Sequence, residues 1–201
     1  KIADYLNVAI PKYFEKRKIE KESIVSPDPA IAVPVVEAMK YTSHKKELRE
    51  MFTNLLGTAM NADSIDAHPA FVDIIKQLSS DEGKVIKYLY QDDKQPMIKI
   101  RIKLDDNGGE SDLSPYFSDI GYKADCQYPQ KFPEYLDNLH RLGIIEVYYD
   151  RFLTNEKYYE ELKYHSNFPH IAGKEKYNIV EKKSMYELSE FGKKFCKVCL
   201  D

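Results

Sequence analysis

The sequence predicts a mainly α protein of the α+β class. Helices fill residues 1–78, and a mixed region with a small antiparallel sheet fills residues 79–201, the two packed as one compact unit. Three stretches carry that expectation. Between Ser43 and Asn61 the apolar residues Leu48, Met51, Phe52, Leu55, Leu56, Ala59 and Met60 recur at helical spacing, as one stripe on an α-helix. After Pro96 the period changes to two. Ile98, Ile100 and Ile102 alternate with Lys99, Arg101 and Lys103, as on a strand with one buried face. At Leu142–Gly143 a helical pattern stops at glycine, and the strand-like run Ile144, Ile145, Val147 and Tyr149 begins at once.

The elements follow in order. Ile2 to Lys21 reads as a helix that Pro11 should kink or split, closing on the basic run Lys16, Arg17, Lys18 and Lys21. The ordinary reading of that run is a solvated last turn complementing the helix dipole, and the sharper one a surface for phosphates or anionic lipid. Asp28 and Pro29 are a cap and first residue for a short apolar helix ending near Thr42. The 43–61 helix comes next, with Ser43 as its cap, Asn61 at its end and Glu47, Arg49, Glu50, Thr53, Asn54 and Thr58 toward water. Its Gly57 invites close approach by a neighbouring helix. His68 and Pro69 open a helix through Phe71, Ile74, Ile75 and Leu78, where His68 caps or packs. Ser79 and Glu82 make a capping box for the next helix, which buries Val85, Ile86 and Leu89.

Beyond the 98–103 strand, Asp105–Gly109 reads as a turn and Leu113–Ala124 as a short irregular helix. Phe132, Tyr135, Leu136, Leu139 and Leu142 give a helix introduced by Pro133. After the Ile144–Tyr149 strand come a Tyr-rich helix, Asn155–His165, and a loop through Pro169 and Gly173. Strand character returns over Tyr177–Leu188, and a final helix covers Ser189–Leu200. A helix running through a tight Gly turn into a β-ribbon, left by a Leu-Ser/Thr-x-x-Gly turn, resembles a winged helix. Leu139, Leu142, Gly143 and Ile144 match the first part, and Leu188, Ser189 and Gly192 the second.

Bulk properties narrow the function. A chain of 201 residues, 43% hydrophobic and 31% charged, can bury a real core and carries a strongly charged surface. A net charge of −3 excludes a whole-chain electrostatic nucleic-acid binder, though it leaves room for a local basic face. No apolar run approaches the about 18 residues that span a bilayer, and no secretory signal is present. The chain opens on Lys1 rather than Met, which leaves room for an upstream segment, a membrane-seeking one included. Three cysteines point to a reducing compartment, and a cytoplasmic location is expected.

Catalytic signatures are missing. There is no Walker or dinucleotide glycine pattern, no Gly-x-Ser-x-Gly and no His-Glu-x-x-His. Paired carboxylates such as Asp105/Asp106 and Glu160/Glu161 read as solvated surface. Cys196 and Cys199 form a Cys-x-x-Cys pair, but at the end of a helix and without a second ligand pair. With Phe191 and Phe195 they read as its buried face. No catalytic residue, metal or cofactor is expected.

Together PDPAIAVPVVEA, ELREMFTNLLGTAMN, HPAFVDIIKQLSSDEGKVI, NLHRLGIIEV and LSEFGKKFCKVC resemble the abortive-infection alpha family of bacterial proteins, in the family's order and over most of the chain. The resemblance implies a role in anti-phage defence, with no established reaction and no catalytic residues to carry over. The expected function is a non-enzymatic interaction module with the winged-helix-like unit as a protein-binding scaffold, contacting an unidentified protein through Tyr148, Tyr149, Tyr158 and Tyr159. The alternative is a DNA- or RNA-binding regulator using a basic strand face and the C-terminal lysines, which include Lys193, Lys194 and Lys197, with Lys99, Arg101, Lys103, His140, Arg141, Lys182 and Lys183 as its contacts. Glu134 and Asp137 make the helix before Gly143 a poor reader of phosphates. Oligomeric state is left open.

Overall fold

The computed structural model of the chain describes residues 2–103, 109–169 and 178–201. In chain order these form α1 (Ile2–Arg17), α2 (Pro29–Thr42), α3 (Lys46–Ala59), α4 (Ala70–Lys76), α5 (Ser80–Gln91), β1 (Gln95–Lys103), β2 (Glu110–Asp112), α6 (Ile120–Lys123), α7 (Phe132–Arg141), β3 (Ile145–Tyr148), α8 (Lys157–Tyr164), β4 (Ile179–Leu188) and α9 (Glu190–Cys199). The class is the expected one, mainly α with a small antiparallel sheet. Two compact units make up the chain: Lys1–Lys87 with Glu190–Asp201, and Tyr88–Ser189. The sequence reading drew its boundary at 78/79; the last helix belongs to the first unit. The expected turn at Asp105 and Asp106, Gly173, and the start of the last strand at Tyr177 lie outside the described residues.

In the first unit α3 is the centre. It packs against α1, α2, α4 and α9, and Leu48, Met51, Phe52 and Leu55 are almost completely buried. The apolar stripe predicts that face; the opposite face is also partly covered, against expectation, though Glu50 stays exposed. Thr53 and Thr58 are buried, and Asn54 donates from Nδ2 to Cys199 O at 3.0 Å. Gly57 permits this, because Tyr13 of α1 lies directly over it. The Tyr13 hydroxyl is 2.8 Å from Thr58 Oγ1.

Caps explain some of the helix ends. Asp28 Oδ1 accepts from Ala30 N at 2.8 Å and starts α2, which runs through Pro34 without a break. α1 likewise runs through Pro11 and stops at Arg17, where Lys18 turns left-handed at φ 54°. Ser43 does not cap α3. Its N–H donates to Met39 O and closes α2, while α3 begins behind Lys45 with no side-chain cap. Nor does Asn61 close α3 in a left-handed turn; Met60 caps it in a helical conformation, and Asn61 bridges to Ile24. His68 Nδ1 accepts from Ala70 N, a capping role. The capping box forms as expected: Ser79 N donates to Glu82 Oε2 at 2.6 Å, and Glu82 N to Ser79 Oγ at 3.2 Å.

The second unit is built on the sheet, in the order β2-β1-β4-β3, antiparallel throughout. One face of β1 carries Ile98 and Ile100 into a core with Tyr159, Leu162 and Phe168. On β4, Tyr186 is buried against Phe132 of α7, ring centroids 5.5 Å apart, and its hydroxyl is 3.0 Å from Ser118 Oγ. Gly143, at φ 71°, makes the tight turn from α7 into β3. Ser189 ties the exit of β4 to that turn, its N–H donating to Ile144 O and its hydroxyl to Gly143 O. Between Leu113 and Ala124 only Ile120–Lys123 is helical. The residues before it run beside β1 instead, with Phe117 and Ile98 exchanging both backbone bonds.

Candidate functional site

The outer face of the sheet is where four of the candidate residues meet, Lys99, Arg101, Lys182 and Tyr149. Side chains alternate along a strand, so Ile98 and Ile100 turn inward and Lys99 and Arg101 outward. In the β1–β4 register Lys99 stands directly opposite Lys182. Lys99, Arg101 and Lys182 therefore line one cavity of about 390 Å³, together with Asp112, Tyr116, Tyr149, and Leu136 and Asp137 of α7.

Most of its positive charge already has a partner. β2, which the sequence reading did not anticipate, lays two carboxylates against the basic face. Lys99 Nζ donates to Asp112 Oδ2 at 2.7 Å and lies 4.5 Å from the centre of the Tyr116 ring. Arg101 donates from Nε to Asp112 Oδ1 at 2.9 Å and from Nη1 to Glu110 Oε2 at 2.6 Å. The Lys99 ammonium bonded to it, with Arg101 behind, holds the Asp112 carboxyl below its ordinary range. Among the described residues the Lys182 ammonium has no hydrogen bond or ion pair.

The other expected nucleic-acid contacts lie elsewhere. Lys183 alternates to the opposite face of β4, bonded to Glu156 and lying over the Tyr159 ring. Lys103 is exposed at the end of β1. His140 Nδ1 is 3.3 Å from Ile145 O, and Arg141 Nη2 donates to Asn138 Oδ1 at 2.6 Å. Neither lines the cavity. The seven basic positions do not make one continuous track.

The tyrosines also separate. Tyr149 lines the cavity half-exposed, its ring 5.4 Å from that of Tyr116, and burial followed by the nearby Tyr116 and Asp137 raises its hydroxyl pKa. Tyr148 donates its hydroxyl to Glu146, a bond that pushes it up to about 12, and Arg151 lies over its ring. Tyr158 is exposed. Tyr159 corrects the expectation of a surface contact: it is fully buried, accepts from Leu153 N and donates to Ser184 O. A tyrosine on the inner face of an amphipathic helix takes a core position when the backbone supplies its hydroxyl with partners.

Glu110 and Asp112 are the site residues the sequence reading missed. Paired in β2, both lie on one face beside Lys99 and Arg101, and a three-residue edge strand gives no periodic signal in the sequence. Cys196 and Cys199 are both buried in α9; burial, then the neighbouring Cys196, pushes the Cys199 thiol well above its ordinary value. Among the described residues no cluster of three or more His, Cys, Asp or Glu is placed to hold a metal ion. No described helix is long and apolar enough to cross a membrane.

No curated protein matches the chain. An uncharacterised protein from the hydrocarbon-degrading marine bacterium Alcanivorax borkumensis SK2 is a similar solved structure, with a TM-score of 0.43 and 15% identity, covering 64% of this chain and 91% of that one. The profile of the family described as abortive infection alpha matches residues 6–199, nearly the whole length, and the chain belongs to that family.

Proposed function

We propose that this abortive-infection protein is a non-enzymatic, cytoplasmic interaction module acting in anti-phage defence, with the winged-helix-like unit as its protein-binding scaffold. One observation favours a protein over a nucleic acid as partner. Lys99, Arg101 and Lys183 are each bonded to a carboxylate of their own chain, whereas Tyr128, Phe152, Tyr158 and Tyr164 leave aromatic surface open, Tyr164 at 85% exposure. Aromatic groups supply much of the energy at protein interfaces, while a phosphate backbone needs unpaired cations. The alternative, a DNA or RNA partner at Lys99, Arg101 and Lys183, requires phosphates to displace Asp112, Glu110 and Glu156.

Affinity capture from phage-infected cells tests the proposal, comparing the unaltered protein with a Phe152→Ala, Tyr158→Ala, Tyr164→Ala variant. The expected result is a protein enriched only after infection and lost with the variant. Absence of any reproducible, variant-sensitive partner overturns it. Electrophoretic shift across a salt series tests the alternative. A steep salt dependence supports it, and no binding at low salt removes it.

A further inference from the structure

We infer that the cavity on the outer face of the sheet binds a small anion with a planar base, of the nucleoside monophosphate class, independently of the protein contact proposed above. Three observations carry this. First, Lys99 and Lys182 are direct cross-strand partners on one face. Like charges in that position destabilise a sheet, so a sequence keeps them where something offsets the repulsion. Asp112 and the Tyr116 ring do so for Lys99. No described residue is hydrogen-bonded or ion-paired to Lys182, which is half-buried in the cavity wall. An anionic group of a ligand completes the pair.

Second, the same cavity has an aromatic wall. Tyr116 and Tyr149 lie 5.4 Å apart at a 36° tilt, and Tyr149 keeps 45% of its surface open. An exposed aromatic face beside cations is the combination that holds a base by stacking and its phosphate by charge. Third, Asp137 of α7 lines the cavity, is exposed, and has no basic partner among the described residues, so it can accept from sugar hydroxyls or an exocyclic amine. A volume of about 390 Å³ suits one small ligand. Asp112 and Glu110 already occupy Arg101 and part of Lys99, and Asp137 adds a negative charge, so the unfilled positive charge is at most that of Lys182, which fits a monophosphate rather than a polyphosphate.

Isothermal titration calorimetry at low salt with AMP, GMP, CMP and UMP tests the inference on the whole chain. At least one is expected to bind, with Lys182→Ala and Tyr149→Ala each weakening it by roughly tenfold or more. Lys103→Ala, outside the cavity, is expected to bind as the unaltered protein does. Lys182→Ala relieves the like-charge pair, so its melting temperature should not fall, which separates lost binding from lost folding. Four results would each overturn the inference. They are no binding of any monophosphate at millimolar concentration, affinity indifferent to both alanine substitutions, inorganic phosphate binding as tightly as the best nucleotide, and a ten-nucleotide single strand binding more tightly than every monophosphate.

Discussion

A methyl group on Gly57 would stand 2.4, 2.6 and 2.7 Å from three atoms of the Tyr13 ring. The ring cannot easily move aside, because Tyr13 is buried and its hydroxyl is held at Thr58. Gly57→Ala gains about 1 kcal/mol of helix propensity and loses more to overpacking, so a net destabilisation of about 1–2 kcal/mol is expected in urea unfolding. A stabilised variant would mean that α1 does not sit on α3 at this point. Asp112 offers a second test. Its pKa is depressed below the ordinary 3.8, first by the Lys99 hydrogen bond. A depressed carboxyl contributes stability that is present above the unfolded value and lost as pH falls through the lower folded value. Carboxyl titration followed by nuclear magnetic resonance should place Asp112 below 3.8, and Lys99→Ala should move it upward. An unmoved midpoint would show that Lys99 is not its main partner.

Elements with local punctuation could be read directly. Asp28 before Pro29, the Ser79–Glu82 box and Gly143 each act within a few residues of themselves, so their roles follow from sequence neighbours alone. Ser79→Ala should remove about 1 kcal/mol through the lost cap of α5, seen as a lower urea midpoint with an unchanged slope. Ser43 shows the limit of such reading. It stands between two helices and has the chemistry of a cap for the second, yet its N–H closes the first. β2 shows another. Three residues have too little pattern to declare a strand, and Glu110–Asp112 becomes one only through pairing with Arg101–Lys103. The site was half legible for that reason: alternation identified Lys99 and Arg101, but their neutralisation depends on an edge strand with no periodic signal. Glu110→Gln with Asp112→Asn should free both cations and increase any non-specific DNA retention at low salt. Unchanged retention would mean that these cations are not available to phosphates in either state.

At the level of the molecule, the first unit closes with residues from both ends of the chain, Lys1–Lys87 and Glu190–Asp201. Phe195 of α9 is fully buried, edge-on to Phe71 of α4 with centroids 5.4 Å apart. Phe195→Ala is expected to destabilise this unit by about 3–5 kcal/mol. Hydrogen exchange should show the loss as faster exchange of α3 and α4 amides; protection unaltered in α3 would remove α9 from that core. By itself the sequence determined the class, nearly every helix, the strands with clean alternation and the family, because period, caps and turn residues act over a few positions. Only the tertiary structure decided which unit α9 joins, that Thr53 and Thr58 on the polar side of α3 are buried, that Tyr159 is core, and that the basic strand faces carboxylates. Those outcomes depend on which distant segments meet, and a side chain's pattern along its own element does not encode its neighbour across the fold.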